Sequence, residues 1–145
     1  MSTPATAKSK YLSDLVNEFG RVDKTLKIGC NGLEEAIEIL DYKKIDNLLK
    51  KYLAKVKSFG ADVVVLGCTH YLLIKSKIQS SLGKNVQVID SGKPIAKRIK
   101  EILKENDMLS NKKDQDIYYT TADPLNFAKV ASLFLKQSIG ALKAN

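Results

Sequence analysis

The chain has 145 residues, 44% of them hydrophobic, which is enough for one globular domain with its own core. A formal charge of +8 raises nucleic acid as a partner, but the only arginines are Arg21 and Arg98, and the lysines alternate with Ile and Leu along residues 97–104 as on a solvated helix face. No apolar run approaches the roughly 20 residues of a membrane span, no signal-peptide core is present, and Cys30 and Cys68 make neither a disulfide framework nor a metal site, so a reducing cytoplasm is expected.

Residues Thr3-Pro4-Ala5-Thr6 begin abruptly, and the periodicity of Tyr11, Leu12, Leu15, Val16 and Phe19 predicts a helix from about Lys8 to Phe19, closed by Gly20. Thr25 to Gly29 reads as a strand ending at Cys30-Asn31-Gly32. Leu33, Ala36, Ile37 and Leu40 mark a short helix. Ile45, Leu48, Leu49, Tyr52, Leu53 and Val56 mark a longer one that ends near Gly60. The run Val63-Val64-Val65-Leu66 is a strand buried on both faces. A helix follows through Leu73, Ile74, Ile78 and Leu82. Val86 to Ile89 is the next strand, with Asp90-Ser91-Gly92 turning into a helix from Ile95 to about Lys104. The polar stretch Glu105 to Asp116 is the one plausible linker. Ile117 to Thr121 is a last strand. Asp123 as N-cap with Pro124 behind it opens a helix whose core face is Phe127, Val130, Ala131 and Phe134. Strands alternating with helices predict an α/β fold, a parallel sheet flanked by helices. In such units a lead-in like Thr3 to Thr6 follows a strand, so a strand upstream is expected.

Chemistry is expected where the central strand ends, because ligands of open parallel sheets bind at strand carboxyl ends. Cys68, Thr69 and His70 stand there: a thiol that can act as base or nucleophile, a hydroxyl, and an imidazole. By itself this trio also fits a buried structural cysteine and a structural histidine.

Gly67-Cys68-Thr69-His70-Tyr71 resembles the second active-site motif of the cofactor-independent glutamate racemases, with Leu72 where that family usually has proline. Thr3 to Thr6 with Ser9 and Tyr11, Val88-Ile89-Asp90-Ser91-Gly92, and Tyr119-Thr120-Thr121-Ala122-Asp123-Pro124 are similar to further landmarks of the family, in the same order. The resemblance implies a two-domain Asp/Glu racemase-like fold of which this chain holds the C-terminal half. Residues 1–92 would be most of the second domain, lacking its first strand, and residues 93–145 the segment that returns to complete the first. It further implies interconversion of L- and D-glutamate for peptidoglycan precursors, without cofactor. Cys68 would be one of two catalytic thiols, His70 and Glu38 its proton partners, and Thr69 and Thr3 substrate contacts. Cys30 matches no catalytic cysteine and reads as a buried thiol. Glu38 lies in Glu34-Glu35-Ala36-Ile37-Glu38, where a charged helix face would look the same.

One thiol serves one face of Cα, and inversion needs a base on the other. A chain with one such thiol is therefore expected to be inactive alone and to need a complementary N-terminal half or a homo-oligomer. The alternative is a non-catalytic remnant or partner-binding module of the same fold, which lost strands would leave with an open sheet edge.

Overall fold

The structure, a computed structural model, describes residues 1–21, 24–110, 112 and 115–145. The chain divides into two compact units, Met1–Lys97 and Arg98–Asn145.

The first unit is built on β1 (Val63–Leu66), where four branched or apolar residues in a row favour a strand. It is not buried on both faces as its composition predicts, since Val64 and Leu66 are buried while Val63 and Val65 are exposed on the other face. β1 pairs in parallel with β2 (Gln87–Asp90), Val64 opposite Val88 and Leu66 opposite Asp90. On its other side Ser2 bridges Gly67 and, across from it, Gly29, again in parallel. The rows therefore run Gly29, Ser2, β1, β2. Thr25 to Gly29 is not the regular strand that its sequence predicts: within it only Gly29 forms a bridge, to Ser2. Gly29 is required there, since a Cβ would stand 2.9 Å from the Cα of Pro4.

The helices supply the core. The predicted helix from Lys8 to Phe19 is instead two, α1 (Pro4–Lys8) and α2 (Lys10–Phe19), divided at Ser9, whose hydroxyl accepts the N–H of Leu12 and caps α2. α3 (Leu33–Glu38) packs on α4 (Tyr42–Phe59), which is capped at one end by Asp41 and closed by Gly60 at φ 72°. Leu33, Ala36 and Ile37 of α3 and Ile45, Leu49, Tyr52, Leu53 and Val56 of α4 are buried. Each large apolar side chain hidden in this way is worth about 1.5–3 kcal/mol. After β1 the chain turns through a 3-10 helix, Thr69–Ile74, into α5 (Lys75–Leu82), which packs on α4 with Ile78 fully buried. Asp90 accepts the N–H of Gly92 at 2.8 Å and pairs with Lys75, the strand-end turn expected at α6 (Gly92–Glu105).

In the second unit, β3 (Tyr119–Thr120) is shorter than the predicted Ile117 to Thr121. It pairs in parallel with β4 (Leu142–Lys143), an element the sequence pattern does not announce. α7 (Pro124–Leu135) begins as expected, Asp123 accepting the N–H of Asn126. The expected linker Glu105 to Asp116 opens with the last residue of α6, and Asn111, Lys113 and Asp114 within it lie outside the described residues. Among the described residues no helix is long and apolar enough to cross a membrane.

Candidate active site

The bridges that place Ser2 between Gly29 and Gly67 bring the residues after them, Thr3, Cys30 and Cys68, to one edge, the carboxyl end of the parallel rows. Tyr71 locks that edge. Its ring is fully buried, and its hydroxyl reaches the carbonyls of Ser2 at 3.3 Å and Cys30 at 3.4 Å, tying the first row to the turn after β1.

Cys68 is the last extended residue before the 3-10 turn, at φ −146°. The tight turn swings the ring of His70 back, so that Nδ1 lies 3.9 Å from Cys68 Sγ. α3 completes the group. Glu34 and Glu38 are one helical turn apart on the same face. Glu34 Oε1 stands 3.7 Å from His70 Nδ1, and Glu38 Oε1 stands 3.1 Å from His70 Nε2. The imidazole therefore has the thiol and one carboxylate at one nitrogen and the second carboxylate at the other.

Burial pushes the Cys68 thiol up from its ordinary value, and the charges of Glu34 and Glu38 push the same way. Backbone hydrogen bonds from His70 and Tyr71 pull against this without cancelling it. The resting group is a thiol at neutral pH, able to donate a proton and, through the adjacent imidazole, to give one up. The site is half open: Cys68 and His70 are partly buried, whereas Thr69 is exposed at the first position of the turn. The three donor atoms of Glu34, Cys68 and His70 lie within 4.8 Å of one another, an O, S, N set that a zinc-like ion could also use.

Cys68, His70 and Glu38 thus stand together, and Thr69 and Thr3 border them. The Thr3 hydroxyl is engaged in capping α1: it accepts the N–H of Thr6 and lies 3.0 Å from the Thr6 hydroxyl. Glu34 is the member of the cluster that the sequence reasoning passed over. Its spacing of four from Glu38 was the signal, because helical residues at that interval share a face.

Cys30 is a different kind of thiol. It is 1% exposed, its Sγ contacts the Ile28 carbonyl at 3.8 Å, and burial pushes its pKa up to about 11. The folded value is raised above the ordinary 9.0, so the thiol's contribution to stability is complete below about pH 9. It is lost as pH rises through about 11. Urea midpoints followed across that range are expected to fall less steeply for Cys30→Ala than for the native chain. Identical slopes would show that Cys30 is not held as a buried thiol.

A thiol, an imidazole and carboxylates gathered at the carboxyl end of parallel strands of an α/β unit are groups that can take up and release a proton. No protein-family model matches the chain. Among curated proteins it is similar to glutamate racemases. It is 31% identical to that of Herpetosiphon aurantiacus over 134 residues (90% of this chain, 53% of the relative). It is 39% identical to that of Vibrio cholerae over 120 residues (81% and 45%). Among solved structures it superimposes on glutamate racemase isoform RacE1 from Bacillus anthracis with a TM-score of 0.79 at 25% identity, covering 99% of this chain and 55% of that one. The Francisella tularensis glutamate racemase, solved in complex with D-glutamate, gives 0.66 at 27% identity over 81% and 45%. The chain is similar to the glutamate racemases and fits their C-terminal half. It spans about half the length of the curated relatives it matches.

Proposed function

We propose that the chain supplies one of the two acid/base walls of a cofactor-independent glutamate racemase, with Cys68 as its proton-transfer group. The observation that carries this is the chain of contacts from Cys68 Sγ to His70 Nδ1, 3.9 Å, and from His70 Nε2 to Glu38 Oε1, 3.1 Å, at the strand end. In one direction His70 takes the thiol proton and Glu38 steadies the charge that arrives on the ring. The thiolate then removes the Cα proton, breaking C–H and forming S–H. In the other direction the thiol returns its proton to the carbanion. Thr69 and Thr3, beside the thiol, are the substrate contacts of this wall.

Inversion requires a second acid/base group on the opposite face of Cα. Cys30, buried and held as a thiol, does not meet that need. The second group comes from a complementary racemase half or from a second copy of the chain. In this reading residues 1–92 form the second racemase-like domain and residues 93–145 complete the first. The product serves peptidoglycan precursor synthesis in the cytoplasm.

The test follows Cα deuterium uptake and enantiomer composition of L- and D-glutamate in deuterated buffer, with and without a complementary half bearing the second cysteine. The chain alone is expected to invert little, and the added half to raise inversion by about 10²–10⁴, the worth of a placed general acid or base. Full inversion by the chain alone would show that one wall suffices. A stable complex without turnover would favour the partner-binding module.

Glu38→Gln keeps the shape and removes the charge beside His70. A hydrogen bond to a charged group is worth about 1.5–3 kcal/mol, and Glu38 is more than half exposed. The low end applies to such an exposed group, so the rate of Cα exchange in the complex should fall about tenfold, at 1.4 kcal/mol per factor of ten. An unchanged rate would remove Glu38 from the proton path.

A further inference from the structure

Two cysteines alone make no metal site, but the turn after β1 and the face of α3 add to Cys68 the further ligands that one needs. Cys68 Sγ lies 3.9 Å from His70 Nδ1, Glu34 Oε1 lies 3.7 Å from the same nitrogen, and the three atoms stand within 4.8 Å of one another. A tetrahedral zinc-type ion has bonds of about 2.3 Å to sulfur and about 2.0–2.2 Å to nitrogen and oxygen, which sets its ligand atoms about 3.3–3.6 Å apart. The two measured edges exceed that spacing by only a few tenths of an ångström. The third edge closes by rotation of Glu34, whose carboxylate sits on a flexible stem and at 3.7 Å is too far to hydrogen-bond Nδ1.

The far side of the ring supplies an independent observation. Glu38 Oε1 stands 3.1 Å from His70 Nε2 and accepts its proton. A neutral imidazole that donates from Nε2 carries its lone pair on Nδ1, the atom that faces Cys68 and Glu34. A carboxylate behind the ring, fixing its tautomer and its orientation, is the support that metal-binding histidines use. The donors also select the ion. A thiolate and an imidazole suit zinc-type cations, whereas magnesium and calcium take sets made of oxygen.

We propose that Cys68 Sγ, His70 Nδ1 and Glu34 Oε1 bind one zinc-type divalent cation, with water completing the tetrahedron, and that the bound ion blocks proton transfer at this site. On binding, the S–H bond of Cys68 breaks, a metal–sulfur bond forms and the proton leaves to solvent, with no change of oxidation state. The sulfur that would exchange a proton with Cα and the Nδ1 lone pair that would receive one are then both held by the ion. The ion is an inhibitor of the site and takes no part in its chemistry. Its binding rests on the geometry of three side chains, and only the block on proton transfer rests on the proposed function.

The full chain, with its thiols reduced, is titrated with Zn²⁺ against a chromophoric chelator and separately with Co²⁺. One Zn²⁺ per chain is expected, undisturbed by a large excess of Mg²⁺. Co²⁺ should give a thiolate-to-metal charge-transfer band and the strong visible bands of a tetrahedral ion. Cys68→Ser should abolish the charge-transfer band, and Cys30→Ala should leave both band and affinity unchanged. Glu34→Gln should weaken Zn²⁺ at least about tenfold, and Glu38→Gln, which acts through the ring, by about 10–100-fold. With a complementary half present, Zn²⁺ should suppress Cα exchange at the concentrations that fill the site, and a chelator should restore it. No binding, equal Zn²⁺ affinity in Cys68→Ser or Glu34→Gln, or one ion shared by two chains would overturn the proposal. So would exchange that continues with the site filled. A complex that binds Zn²⁺ through these three residues but never turns over would support the metal site and count against the proposed function.

Discussion

Cys68→Ser is expected to reduce Cα deuterium uptake by about 10²–10⁴ in the complex with a complementary half while leaving the melting temperature nearly unchanged. Oxygen replaces sulfur with little change in volume at a half-buried position, so the fold has small reason to respond. The chemistry responds strongly, because a serine hydroxyl ionises far above the thiol and gives His70, 3.9 Å from Sγ, no usable proton. The pH dependence carries the same sign. Burial and the two carboxylates hold the thiol protonated, so the rate of the half-reaction that begins with thiolate rises as pH increases, and does so at higher pH than for a free cysteine. Alkylation supplies a second readout. Iodoacetamide should modify Cys68 and spare Cys30, which is 1% exposed. Retained exchange in Cys68→Ser would show that another group moves the proton.

Tyr71→Ala is expected to carry the largest stability cost in the chain, about 3–5 kcal/mol by analogy with other large aromatic truncations. The ring is fully buried at the meeting of the Ser2 row, α3 and the turn after β1, and its hydroxyl serves the carbonyls of Ser2 and Cys30. Against a total of roughly 5–15 kcal/mol for a domain, that loss leaves little. Tyr71→Phe keeps the ring and removes the donor, at about 1–3 kcal/mol for the carbonyls left unsatisfied. Urea unfolding of the three proteins measures both. A Tyr71→Phe variant as unstable as Tyr71→Ala would mean that the hydroxyl, and not the packing of the ring, holds this junction.

Much of the architecture was legible because it is local. Val63 to Leu66 reads as a strand from composition, though only one of its faces is buried, and the amphipathic spacing from Ile45 to Val56 reads as a helix. Asp123 with Pro124 marks the start of α7 to the residue. The motif at Cys68 was legible for the same reason, since strand, small residue and polar trio are contiguous.

Other features depend on contacts, most of them between residues distant in the chain. Thr25 to Gly29 has the composition of a strand, but a strand is completed by its neighbour, and here the pairing is confined to the Ser2 contacts of residues 28 to 30. β4 escaped notice because its two residues pair only with distant β3. Ser9 ended one helix and began another through a side-chain cap that periodicity does not record. The proposed proton-transfer residues divide in the same way. Cys68 and His70 are two residues apart, so their proximity follows from the chain. Glu38 could equally have been a solvated charge, and the α3 packing that turns it and Glu34 toward His70 is a contact across more than thirty residues. Local chemistry thus told which groups could move a proton, whereas the pairing of a ring nitrogen with a particular carboxylate came from long-range packing, because hydrogen-bond geometry depends on three-dimensional distance and not on order along the chain.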